Sequence, residues 1–148
     1  MSRLSRMRWW YLDEVFLLEH DLFGADHWSA AMFWQELAEH ESRHYLVALD
    51  GADSVLGYGG LCTYGAQAYV QTLAVRRDRQ GGGIGRDLLA ALLAESQRRR
   101  VTTVSLEVRS DNVAAQRLYA RHGFEPAGLR RGYYQPSGAN AVVMVRDG

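Results

Sequence analysis

The chain has little with which to brace itself covalently. It holds one cysteine, Cys62, so no internal disulfide can form, which fits a reducing compartment. Proline is scarce too: Pro126 and Pro136 both fall late. No proline-rich, serine-rich or low-complexity linker and no internal repeat divides the 148 residues, so one domain spanning 1–148 is expected. An excess of charge of one sign is missing, since 17 basic residues balance 17 acidic ones. Phosphate backbones demand a basic surplus, so nucleic acid is not expected as the main partner, a local basic patch aside. No apolar run approaches the ~20 residues that cross a bilayer. Met1 to Trp10 carries arginines but no apolar signal-peptide core. These absences point to a cytoplasmic protein with no membrane partner. The five histidines lack metal-site spacing, and His40 and His44 straddle a helix end, so no metal is expected.

What is present is a strong change of periodicity along the chain. Leu4 to Trp9 reads as a short strand, Tyr11 to Leu22 as an amphipathic helix, and Ser29 as the cap of a second helix reaching about Glu39. His44–Leu49, Val55–Tyr64 and Ala68–Val75 read as a three-stranded meander. Ile84, Leu88, Leu89, Leu92 and Leu93 form a helical stripe, and Thr102–Val108 is a β-branched strand. Asp111 or Asn112 caps a helix that stops at Gly123, and Phe124 onward and Ala141–Val145 supply the last strands. The fold class is therefore α+β, one mixed sheet with a parallel strand–helix–strand crossover from Val70 to Val108. Trp9, Trp10 and Trp34 read most simply as core, with shaping of an acceptor groove as the alternative.

The stretch Gln80-Gly81-Gly82-Gly83-Ile84-Gly85-Arg86 lies between a strand and a helix. Glycines bring backbone close to a ligand, and the first helical turn offers unpaired N–H groups and the positive dipole end. Such a loop holds phosphate. It is not a triphosphate loop, because Gly85 is followed by Arg86 and Asp87 rather than Lys and Ser/Thr. Nor is it a dinucleotide loop, because the third glycine of G-x-G-x-x-G is misplaced.

Downstream stand Glu107, Asn112 and Tyr119. Asn112 and Tyr119 are about two helical turns apart and share a face, while Glu107 ends the preceding strand. Acyl transfer to an amine uses this set: a base for the amine proton and an acid for the departing thiolate. Asn112 suits the amides of a pantetheine arm, and the backbone of Leu73, Ala74 and Val75 can pair with that arm as an added strand. A helix-capping Asn, a core Tyr and a solvent-facing Glu are the plainer alternatives for each residue taken singly.

The spacing Q/R-x-x-G-x-G/A, here Gln80, Gly83 and Gly85, resembles the acyl-CoA loop of the GCN5-related N-acetyltransferases (GNAT). Leu73–Val75, Leu106–Arg109, Asn112–Phe124, His27-Trp28-Ser29 and Arg130-Arg131-Gly132-Tyr133-Tyr134 extend the likeness to the RimI-type N-terminal protein acetyltransferases, over about residues 20 to 145. That family acetylates the N-terminal alanine of a small-subunit ribosomal protein. The resemblance implies the GNAT fold, a mostly antiparallel sheet flanked by about four helices. It implies Glu107 as general base and Tyr119 as general acid. It implies acetyl-CoA as cosubstrate, held by Leu73, Ala74, Val75, Gln80, Gly81, Gly82, Gly83, Ile84, Gly85, Arg86 and Asn112. Trp28, Tyr133 and Tyr134 would wall an acceptor groove for a protein or peptide N-terminus. Gly81 and Gly82 replace the family's usual arginine and glutamine, and Gly132 its usual asparagine. Lysine or small-molecule amines as acceptors, and a non-catalytic acyl-CoA-binding module, are the competing expectations.

Overall fold

The computed structural model describes residues 2–147. Its strands are β1 (Arg3–Arg6), β2 (Arg43–Leu49), β3 (Val55–Tyr64), β4 (Gln67–Val75), β5 (Thr103–Arg109), β6 (Glu125–Arg130) and β7 (Ala141–Asp147). Its helices are α1 (Leu12–Phe23), α2 (Ala30–Ala38), α3 (Ile84–Arg98) and α4 (Val113–Arg121). All strands join one sheet in the order β1-β2-β3-β4-β5-β7-β6. Every neighbouring pair is antiparallel except β4 and β5, which α3 connects. This is the expected α+β architecture with its mixed, mostly antiparallel sheet.

Strand alternation builds two cores. On β2, Tyr45, Val47 and Leu49 point to one face and Leu46 and Ala48 to the other. The first face is covered by Leu12 and Val15 of α1 and Phe33 of α2. The second is covered by Leu88, Leu89 and Leu92 of α3 and Tyr119 of α4. The three leucines are fully buried, each contributing about 1.5–3 kcal/mol of transfer free energy. The Ser29 hydroxyl accepts from Met32 N at 3.2 Å and starts α2, as its position suggests. Pro126 lies in β6, an edge strand with a bulge, the kind of position where a strand tolerates proline.

The first strand is shorter than its sequence suggests. It ends at Arg6; Met7 N donates to Tyr45 O at 2.8 Å, and Trp9–Tyr11 then forms a 3-10 turn with no buried residue.

The sheet is split. The parallel β4–β5 ladder holds only Gln67↔Thr103, Ala68↔Val104 and Tyr69↔Ser105. Just beyond it the β3–β4 register shifts: Leu61 pairs with Val70 and Gly60 with Thr72, leaving Gln71 as the extra residue of a β-bulge. From there β4 follows β3 to Val75, while β5 follows β7 to Arg109. The facing edges of β4 and β5 are unpaired along this stretch, and a cleft opens through the sheet. Among the described residues no helix is long and apolar enough to cross a membrane.

Candidate active site

The cleft has a volume of about 460 Å³ and is lined from both faces of the sheet. Leu106 and Val108 are buried in the α3/α4 core, so strand alternation turns Glu107 to the opposite face, where its side chain is 24% exposed. Tyr119 enters from the α3/α4 side, almost wholly buried, with its ring edge-on to Phe124 at 5.8 Å. Because β4 and β5 part between them, both residues line one cleft. Leu73, Asn112, Trp28, Tyr133 and Tyr134 line it too.

Burial pushes the Tyr119 phenol well above its ordinary value, with nearby Tyr134 adding to the effect. It is therefore a neutral O–H donor throughout the physiological range. Tyr134 is pushed up to about 12, again first by burial. The Glu107 carboxylate faces the exposed Arg130, whose Nε stands 3.7 Å from Oε1.

The glycine loop lies where β4 ends. Ala74, Val75 and residues 80–86 do not line the cleft itself; they stand beyond it, along the same strand. Gly81 and Gly83 adopt φ of 84° and 93°, the left-handed region that favours glycine, whereas Gly82 does not. Gly83 caps α3, whose first ring closes from Asp87 N to Gly83 O at 3.0 Å. The Gln80 amide donates to Val75 O at 3.0 Å and ties the loop to the strand. The Arg86 guanidinium folds back over Gly83, placing a cation above the helix N-terminus. An unpaired strand edge, a positive-φ turn, a helix N-terminus and a cation in sequence suit a pantetheine arm ending in a pyrophosphate. Asn112 is at once a cap and a cleft residue: its Oδ1 accepts from Ala115 N at 3.1 Å, leaving the amide N–H₂ to donate elsewhere.

At the other end, Trp28 packs on Phe33 with ring centres 5.2 Å apart. Tyr133 and Tyr134 sit on the β6–β7 loop; Tyr133 is 44% exposed and lies beneath the Arg130 guanidinium. Gly132 has a φ of 62°, which glycine and asparagine both tolerate, and its N–H donates to Asn140 Oδ1 at 2.9 Å.

Sequence reasoning missed several cleft residues. Glu19 is 2% exposed; it accepts from Tyr58 OH at 2.7 Å and Trp28 N at 2.8 Å, and burial raises its pKa. Gln71, the bulge residue, has its side-chain amide 2.8 Å from the Tyr45 hydroxyl, which also stands 2.9 Å from Glu36 Oε1. Asp26 and Arg109 form an ion pair at 2.8 Å on the cleft wall. Conversely, Trp9, Trp10 and Trp34 are not core: they are 61%, 58% and 50% exposed. Trp9 and Trp34 border a separate cleft with Arg8, His40 and Tyr45, away from Glu107 and Tyr119. Met7 and Leu12 take the inward positions around the 3-10 turn, and Phe33 takes the inward position next to Trp34.

A seven-stranded sheet parted between its two parallel strands, with a glycine loop opening the helix between them, defines an acetyl-group transferase of the GNAT class. The profile of the acetyltransferase (GNAT) family matches residues 4–124, and the chain belongs to this family. It is 44% identical over 135 residues to the N-alpha-acetyltransferase RimI of Mycobacterium tuberculosis, a match covering 88% of this chain and 82% of that protein. The crystal structure of the ribosomal-protein-S18-alanine N-acetyltransferase from Escherichia coli superposes with a TM-score of 0.87 at 29% identity, covering 99% of this chain and 94% of that one. Ard1 from Thermoplasma volcanium superposes with a TM-score of 0.88 at 26% identity, covering 99% and 97%.

Proposed function

We propose that this chain is a cytoplasmic enzyme that transfers the acetyl group of acetyl-CoA to the N-terminal α-amine of a protein. The N-terminal alanine of a small-subunit ribosomal protein is the first acceptor to consider, by likeness to the relatives named above. The observation that carries the reading is the meeting of Glu107 and Tyr119, from opposite faces of the sheet, in one cleft.

Acetyl-CoA supplies the activated acyl thioester. Leu73, Ala74 and Val75 would pair with its pantetheine arm along the open β4 edge. The N–H groups from Gly81 to Arg86, with Gln80 holding the loop, would take its pyrophosphate, and Asn112 would bind an arm amide. Trp28, Tyr133 and Tyr134 would hold the acceptor. Glu107 accepts the amine proton, directly or through water, as nitrogen bonds to the acyl carbon. Tyr119 donates its hydrogen bond to the sulfur as the carbon–sulfur bond breaks; because its pKa lies above that of a thiol, full proton transfer is uphill and the hydrogen bond itself is the main help. The coenzyme departs as a thiolate hydrogen-bonded to Tyr119 and takes a proton from solvent, to which Glu107 gives up the amine proton, so the products are an amide and a thiol.

An α-amine is the acceptor this site handles most easily. Deprotonation at pH 7 costs about 1.4 kcal/mol for an α-amine and about 4.6 kcal/mol for lysine. The test is incubation with acetyl-CoA and peptides differing in their N-termini, read by mass spectrometry. Acetylation of free N-termini is expected; exclusive acetylation of lysine, or none with any peptide, overturns the reading.

A further inference from the structure

Three segments meet at the acceptor end of the cleft, and one carboxylate joins them. Asp26 closes the turn between α1 and α2, and its side chain is 5% exposed. Its Oδ1 accepts from Ser137 N at 3.0 Å. Its Oδ2 accepts from the Ser137 hydroxyl and from Arg109 Nη1, the latter at 2.8 Å. Ser137 lies on the β6–β7 loop that carries Tyr133 and Tyr134. Arg109 is the last residue of β5, two beyond Glu107, and its guanidinium stands 5.6 Å from the centre of the Tyr134 ring. Asp26 thus connects both walls of the acceptor site and the strand that carries Glu107.

We infer that Asp26 is a positioning residue that clasps the two acceptor walls together and sets affinity for the acceptor, with little effect on the speed of transfer. The inference rests on the proposed function. The β6–β7 loop keeps its shape through its own bonds: Tyr134 N donates to Ala139 O at 3.0 Å and Gly138 N to Tyr134 O at 2.7 Å. Those bonds do not set where the loop sits relative to the α1–α2 turn. The Asp26–Ser137 contact does. A loop released from it would have to be ordered afresh whenever an acceptor binds, and that entropic cost falls on binding. The partners of Asp26 are Arg109 and Ser137, and none of its hydrogen bonds reaches β4 or the glycine loop, so acetyl-CoA affinity is expected to change little without them.

The test is a comparison of Asp26→Ala, Ser137→Ala and Ser137→Thr with the wild type. Hydrogen bonds to a charged group are worth about 1.5–3 kcal/mol, which converts to roughly ten- to hundredfold in affinity. Asp26→Ala is expected to raise KM for the acceptor peptide by that factor, with kcat and KM for acetyl-CoA nearly unchanged. Ser137→Ala, which keeps the backbone bond, gives a smaller rise, and Ser137→Thr behaves as wild type. Hydrogen exchange at residues 133–139 accelerates in Asp26→Ala while β4 and α3 stay protected. A lower melting temperature with unchanged acceptor KM, or an equal rise in KM for acetyl-CoA, overturns the clasp. If Asp26→Ala does not fold, Ser137→Ala carries the same comparison. A wild type that acetylates no peptide refutes the proposed function instead, and the exchange measurement, which needs no substrate, then decides the clasp.

Discussion

The Arg86 guanidinium lies over Gly83: a Cβ on Gly83 would meet Arg86 Nη2 at 2.6 Å, in a backbone already at a φ of 93°. Gly82, next to it, has only Arg79 O within reach of a Cβ, at an ordinary 3.5 Å. The three consecutive glycines are therefore not equivalent. Gly83→Ala is expected to strain the loop by about 1–3 kcal/mol and to raise KM for acetyl-CoA strongly. Gly82→Ala should leave it near the wild-type value. Steady-state kinetics on the two variants checks this.

Removing the Tyr119 hydroxyl takes away the donor proposed to serve the sulfur but keeps the ring on Phe124. Tyr119→Phe should lower kcat by about 10²-fold with KM for acetyl-CoA and melting temperature little changed. Unchanged turnover would remove Tyr119 from the reaction.

Glu107 is partly exposed and its side chain supports no core contact, so Glu107→Gln should fold normally. If it takes the amine proton, the variant loses most of its rate and its pH–rate profile changes shape. A profile identical to wild type would place the base elsewhere.

Glu19 is a buried carboxylate whose two oxygens serve two separate donors. Glu19→Ala strands the Tyr58 hydroxyl and the Trp28 N–H and should cost about 2–5 kcal/mol, by chemical denaturation. Glu19→Gln keeps one acceptor oxygen, removes the buried charge and should cost less.

Tyr45, Tyr58 and Tyr119 are all buried, with pKa values raised by that burial. The folded state holds these protons while the unfolded chain releases them near pH 10. Their contribution to stability is complete below about pH 10 and is lost as pH rises above it. Denaturation midpoints should be flat from pH 7 to 9 with respect to these groups and fall steeply above 10.

Most of the fold was legible because it is written in local periodicity. The α3 leucine stripe, the Ser29 cap and the alternation Leu106-Glu107-Val108 each specify their element without help from distant residues. Of the residues that motif spacing singled out, Glu107, Asn112 and Tyr119 do line one cleft. Gln71 was not, because a bulge exists only relative to the neighbouring strand. Asp26 was not either, since its partners Arg109 and Ser137 lie 83 and 111 residues away. Glu19 did leave a signal: it falls on the apolar face of α1 with Leu12 and Val15, where an acid has to be paired. The exposed tryptophans ran against expectation because aromatic character alone does not say which side of a turn a residue takes.

The most direct test uses one peptide carrying both a free N-terminal alanine and an internal lysine. This chain contains no lysine, so any acetyl-lysine detected after incubation with acetyl-CoA comes from the peptide. Fragmentation in the mass spectrometer then locates the added acetyl group. The account predicts it on the alanine nitrogen, and lost in Glu107→Gln. An acetyl group on the lysine, or equal labelling by Glu107→Gln, would contradict it.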